Sequence, residues 1–175
     1  MNWHEYFTYD SATGNLIRKE RSRESFATHK QWRMWNGREA GTVAGTPKYK
    51  KTGELMHIAQ KFLGKRYMTH RIIWEMHNGP IPEAIQIDHR DGNPANNKLT
   101  NLRLATHTEN MRNRKRGKTN TLGVKGVSRS WNKWRAMIRI NGKSTHLGTY
   151  ATKGLAAVAY AKASMRHYGA FARIG

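Results

Sequence analysis

Apolar residues are sparse along this chain and come in short bursts between glycine, asparagine and proline. Tyr6–Tyr9 and Leu16–Arg18 flank the turn cluster Asp10-Ser11-Ala12-Thr13-Gly14-Asn15, which predicts a hairpin. The segment Gln31–Gly37 carries Trp32 and Trp35 but no decisive periodicity. Leu55–Phe62 and Arg66–Thr69 flank Gly64-Lys65 and predict a second hairpin. Residues 70–77 place Ile72, Ile73 and Met76 on one helical face, with a stop at Asn78-Gly79-Pro80. Ile85 and Ile87 alternate into a strand that ends at Asp88-His89. A loop dense in Asp, Gly, Asn and Pro follows. Leu102 and Leu104 mark another short strand, and Thr106 or Thr108 caps a helix containing Asn110 and Arg112.

The pattern changes after the basic run in 111–121. Trp134–Ile140 and Ser144–Leu147 alternate around Asn141-Gly142, the strongest short-range hairpin signal. A further strand at Val127–Arg129 precedes them, and Thr152 caps an alanine-rich helix that runs to about His167. Trp134, Ala136, Ile138 and Ile140 share one face of their strand, and Lys133, Arg135, Met137 and Arg139 share the other. The expected fold class is α+β, in two modules at 1–115 and 122–175 joined by a basic linker at 116–121. The second module is a three-stranded antiparallel sheet packed on one helix.

Composition narrows the function. Leu, Ile, Val and Phe supply 27 of 175 residues, so two small cores are more plausible than one large one. There is no cysteine, which excludes disulfides, thiolate zinc sites and cysteine nucleophiles. No apolar run approaches the ~20 residues of a membrane span. MNWHEYFTYD lacks the pattern of a signal peptide. The expectation is a soluble, cytoplasmic protein, with no membrane and no obligate protein partner. Residues 1–109 hold 17 basic and all 11 acidic residues, whereas 110–175 hold 15 basic residues and no acid. A segment without carboxylates suits a polyanion.

The strand–loop–strand–helix segment brings Asp88, His89 and Asn110 to where they can converge. A carboxylate and an amide oxygen are hard ligands suited to Mg²⁺ or Mn²⁺, and a neutral imidazole nearby can accept a proton from water. Taken singly, Asp88 is an ordinary turn carboxylate. Beside His89 in this loop, the metal reading is favoured. An EF-hand starting at Asp88 is rejected because its twelfth position is Leu99. Asn93, Asn96, Asn97 and Asn101 read as loop-fixers, and His70 as a structural or phosphate-contacting residue. Arg103 either touches phosphate or covers the sheet.

These residues, with His70-Arg71, Asn96-Asn97, Asn101-Leu102-Arg103 and Thr106…Asn110, resemble the HNH endonuclease family with its ββα-metal motif, over roughly residues 5–115. The resemblance implies one divalent metal, Mg²⁺ or Mn²⁺, on Asp88 and Asn110, with His107 the alternative second ligand. It also implies His89 as general base, Asn101 as the brace of the loop, and no structural zinc.

Residues 122–175 resemble an AP2 DNA-binding domain through Gly123-Val124-Lys125-Gly126-Val127, Trp134-Arg135-Ala136-Met137-Ile138, Asn141-Gly142-Lys143 and His146-Leu147-Gly148-Thr149-Tyr150. The implied DNA contacts are Lys125, Arg129, Trp131, Arg135, Arg139, Lys143 and His146. In the linker region Arg112, Arg114, Lys115 and Arg116 are further phosphate candidates. Together the resemblances imply a site-specific endonuclease of double-stranded DNA with a homing or mobile-element role. The rival is a DNA-binding regulator with a vestigial nuclease centre. A basic RNA- or ribosome-binding protein is the third reading.

Overall fold

A computed structural model describes residues 1–115, 117 and 120–174. The chain divides into two compact units, Met1–Ala105 and Thr106–Gly175.

In the first unit, β1 (Phe7–Asp10) and β2 (Asn15–Arg18) form the expected hairpin, closed by Asp10, whose carboxylate accepts from Ala12 N and the Thr13 hydroxyl. The ambiguous tryptophan segment is helix α1 (His29–Glu39). It starts because Thr28 and Gln31 form a reciprocal capping box. An unpredicted strand, β3 (Thr46–Tyr49), joins β4 (Leu55–Phe62) and β5 (Lys65–Met68) in an antiparallel sheet of order β3-β4-β5. The β4–β5 turn lies one residue earlier than the Gly64-Lys65 signal. Phe62 pairs with Lys65, and Leu63 and Gly64 take the two positive-φ positions of the turn. Helix α2 (Thr69–Asn78) buries Ile72 and Ile73 and stops at Gly79, whose φ is +79°. Strands β6 (Gln86–His89) and β7 (Leu102–Ala105) pair antiparallel. The core gathers Trp3, Phe7, Leu16, Phe62, Ile72, Ile73, Ile87 and Leu102. Trp3, Tyr6 and Phe7 each set a ring against Phe62.

The second unit begins with helix α3 (His107–Asn113), capped by Thr106, which accepts from Glu109 N while Glu109 accepts from Thr106 N. The division expected at residue 115 follows the basic run; compactness instead groups α3 with the C-terminal sheet. That sheet, of order β10-β9-β8, comprises β8 (Val127–Ser130), β9 (Lys133–Ile140) and β10 (Lys143–Tyr150). Helix α4 (Lys153–Tyr168) buries Ala156, Tyr160 and Ser164, one residue per turn, so a slim stripe lies on the sheet. Ala136, Ile138 and Val127 are the apolar positions beneath it.

Gly126 is where this packing is tightest. Its φ is +66°, and its carbonyl accepts from Met137 N at 2.7 Å. A Cβ there would overlap the Tyr160 ring and sit 2.5 Å from the Met137 oxygen. Gly126→Ala therefore combines a left-handed backbone with overpacking and should destabilise the second unit by about 2–4 kcal/mol. Hydrogen exchange of the β9 amides in the full chain checks this. Unchanged protection would contradict it.

Candidate active site

The β6–β7 ladder decides what Asp88 faces. In its register Asp88 lies opposite Arg103 and His89 opposite Leu102. The Asp88 Oδ2 atom accepts from Arg103 Nε at 2.9 Å and lies 2.8 Å from Nη2. Both side chains are buried, at 5% and 7% exposure. Arg103, left between phosphate and sheet by the sequence, is thus an ion-pair partner of Asp88. The missed signal is one of counting, since two short strands either side of a loop pair these residues directly.

His89 leaves the strand on the other side, as alternation requires, yet it too is buried. Two groups cover it. The His70 ring, from the first turn of α2, stands edge-on to it with centroids 5.1 Å apart. Asn97, only 2% exposed, places Oδ1 2.9 Å from His89 Nε2. An amide oxygen can only accept, so Nε2 carries the hydrogen and Nδ1 the lone pair in the neutral ring. Asn97 is more than a loop-fixer, a role that run of asparagines did not single out.

The loop between the strands is held by its own side chains. Asn101 Nδ2 donates to Asp91 Oδ1 (3.0 Å) and to the Asn96 carbonyl (2.8 Å), while Asn101 Oδ1 accepts from Asp91 N (3.1 Å). Asn96 Nδ2 donates to Asp91 Oδ2. Burial alone would raise the Asp91 carboxyl, but hydrogen bonds from Asn93 N, Asn96 and Asn101 outweigh it and hold the group below its ordinary value. The β1–β2 hairpin supports the loop from outside. The Tyr9 hydroxyl accepts from Leu99 N at 2.8 Å. Gly14, at φ +79°, comes so close that a Cβ would lie 2.6 Å from Lys98 N.

The remaining candidates fall in the second unit. Asn110 is half-buried on α3, and His107 is exposed as its first residue. On the sheet, Arg135 and Arg139 are exposed on the outer face of β9, and His146, paired with Met137, shares it. Arg129 does not. It pairs with Trp134, a helix-face position, and its guanidinium lies 5.5 Å from that ring. Lys143 pairs with Ile140, likewise a helix-face position. Arg129 and Lys143 thus pair with helix-face positions, whereas Arg135, Arg139 and His146 share the outer face. Trp131 is 94% exposed at a turn position with φ +53°. Lys125 is half-buried, with Nζ 3.3 Å from the Arg112 carbonyl and also bonded to the Arg114 carbonyl. The Arg112 guanidinium lies 4.6 Å from the Tyr168 ring centroid. Arg114 and Lys115 are exposed, and Arg116 lies outside the described residues. Among the described residues no three His, Cys, Asp or Glu side chains gather around a metal position, and no helix is long and apolar enough to cross a membrane.

The family description "HNH endonuclease" matches residues 67–112, from the end of β5 through β6, the loop and β7 into α3. Protein 3.8 of Escherichia phage T7 is 46% identical over 92 residues, which is 50% of this chain and 74% of that protein. Residues 67–112 of the chain thus form an HNH endonuclease segment. An uncharacterized HNH endonuclease, L560, of Acanthamoeba polyphaga mimivirus is 36% identical over 111 residues, 63% of this chain and 57% of that protein. The solved structure described as "DNA binding and cleavage by the HNH homing endonuclease I-HmuI" is similar at 18% identity and a TM-score of 0.37, over 93% of this chain and 85% of that one. The family is one of nucleases, and the segment it matches contains Asp88, His89, Asn97, Asn101, Arg103 and Asn110.

Burial, with His89, Arg71 and His57 as like-charged neighbours, pushes the His70 imidazole down to about 3. Its Nδ1 is buried without a hydrogen-bond partner among the described residues. The unfolded chain takes up a proton at His70 near the ordinary value of about 6.5, and the folded chain does not. Stability from this group is therefore complete above about pH 6.5 and is lost as pH falls toward about 3. Urea midpoints at pH 7 and pH 5 should fall more in the wild type than in His70→Gln. Equal falls would show that His70 is not the titrating group.

Proposed function

We propose that this HNH nuclease hydrolyses phosphodiester bonds in double-stranded DNA at specific sites, with His89 as general base. The observation that carries this reading is the pairing of a buried Asp88 carboxylate with an adjacent imidazole whose tautomer Asn97 selects. With Nε2–H donated to Asn97, His89 takes a proton from water at Nδ1, and the imidazolium that forms keeps its Nε2–H bond. Proton transfer then needs no rotation of the ring. The edge of His70 and the Leu102 strand restrict water around it, so the imidazole stays oriented between turnovers.

The donor chemistry suits a hard divalent ion. Asp88 supplies a carboxylate whose Oδ2 is oriented by Arg103, and Asn110 is the second donor expected from the sequence, with His107 as its competitor. Mg²⁺ or Mn²⁺ so held would neutralise charge on the phosphate and stabilise the leaving 3′ oxygen. Arg103 holds the Asp88 carboxylate by two short contacts and limits its rotation, which is the contribution of the chain itself.

The second unit supports a DNA partner by its charge and by the outer face of its sheet. Arg135, Arg139 and His146 present donors on a three-stranded surface of the width that a major groove admits, roughly 12 Å. An AP2-like mode of reading and a homing or mobile-element role complete the proposal.

Purified protein should nick or cut plasmid with Mg²⁺ or Mn²⁺ and stop with EDTA. His89→Ala should lower the rate by about 10²–10⁴ while leaving DNA affinity nearly unchanged. Asn110→Ala should cost more than His107→Ala. A protein that binds DNA but cuts nothing with either ion is the vestigial regulator, and the proposal fails.

A further inference from the structure

Lys125 and Arg112, both counted as DNA contacts from the sequence, are engaged around helix α3 within the second unit. The last carbonyls of a helix have no partners of their own. Here the Lys125 ammonium, from the loop before β8, fills that role at Arg112 and Arg114, where a positive charge also complements the helix dipole. Arg114 is the C-cap residue, outside helical geometry, so the lysine seals the helix end. Half-burial, and Arg173 nearby, hold the Lys125 amine below its ordinary value, as expected for a group turned inward.

A second tether runs through Tyr168, the last residue of α4. Its ring faces the Arg112 guanidinium of α3, a cation–π contact. Its hydroxyl donates to the Arg139 carbonyl of β9 at 2.6 Å. One side chain thereby joins α3 to the strand that carries Arg135 and Arg139. Asn113, at the end of α3, is buried at 5% exposure, so the helix is packed rather than suspended from the chain.

We infer that Lys125 and Tyr168 are positioning residues that clamp α3 to the C-terminal sheet, so that the unit binding DNA also carries Asn110 and sets its position when DNA is bound. Lys125 and Arg112 are structural cations on this view, and the phosphate contacts lie with the outward Arg135 and Arg139. The consequence for catalysis rests on the proposed nuclease reading, with Asn110 as metal donor. The clamp itself does not.

The test uses the full chain as wild type, Lys125→Met, Lys125→Arg, Tyr168→Leu and Arg135→Ala. The first measurement, without DNA or metal, is the rate of tryptic cutting after Arg112 and Arg114. Lys125→Met and Tyr168→Leu should raise it about tenfold, Lys125→Arg should restore protection, and Arg135→Ala should leave it unchanged. The second is DNA affinity across a salt series. Arg135→Ala should flatten the slope of log affinity against log salt by about 0.9, and Lys125→Met should leave it unaltered. The third is the cleavage rate at saturating DNA, which Lys125→Met should lower about tenfold, with partial recovery in Lys125→Arg. A flattened salt slope with unchanged trypsin sensitivity in Lys125→Met would make Lys125 a phosphate ligand and overturn the clamp. Unchanged cleavage despite a released α3 would overturn its role in positioning Asn110. A wild type that cuts no DNA would defeat the nuclease reading, while the trypsin and salt results would still decide the clamp.

Discussion

The buried pair between Asp88 and Arg103 is the constraint around which the first unit is arranged. Two opposite charges at 5% and 7% exposure are tolerable only together, because removing one partner leaves the other stranded at a cost of about 3–5 kcal/mol. The pair locks the β6–β7 register, since a slip of one residue would turn Arg103 to the other face. That register in turn leaves His89 on the opposite side of the strand, against His70 and Asn97. One electrostatic requirement thus sets the position of both side chains.

The ladder is only four residues long on each strand and has little strength of its own. Its loop compensates with an internal network in which Asn101 replaces several backbone contacts, and with outside support from Tyr9 and Gly14 at the β1–β2 hairpin. The aromatic cluster around Phe62 holds that hairpin against the core. Burial of large rings therefore reaches the active-site loop through one turn and one tyrosine hydroxyl. A chain poor in Leu, Ile, Val and Phe obtains rigidity at the site from side-chain hydrogen bonds instead of a deep core.

The second unit follows a different economy. Its helix face is built from alanines and one tyrosine, so α4 lies close to the sheet and the opposite face stays polar. With no acidic residue after Glu109, its cations have few internal partners. Those near α3 use backbone carbonyls and an aromatic ring, and on the outer sheet face the exposed Arg139 donates to the Gly142 carbonyl at 3.0 Å.

Much of this was legible in the chain itself. Alternation and turn residues located the β1–β2 and β4–β5 hairpins, the β9–β10 hairpin at Asn141-Gly142 and the long loop after Asp88-His89, because these signals are local and each depends on a few consecutive residues. The placement of Asp88 and His89 at the end of a strand was readable for the same reason. Helix α1 was not, since its capping box was hidden by an unpatterned, exposed sequence, and β3 has no apolar face to announce it. Strand register and packing decided the rest: that Arg103 answers Asp88, that Asn97 meets His89 Nε2, and that Arg129 pairs with Trp134 on the helix side. They also decided that the Lys125 ammonium meets the Arg112 and Arg114 carbonyls. Composition determined that the last third of the chain would be cationic, but a lysine's charge is the same at a phosphate and at a helix end. Only the fold, by bringing the Arg112 and Arg114 carbonyls within reach of Lys125, decided what that ammonium touches.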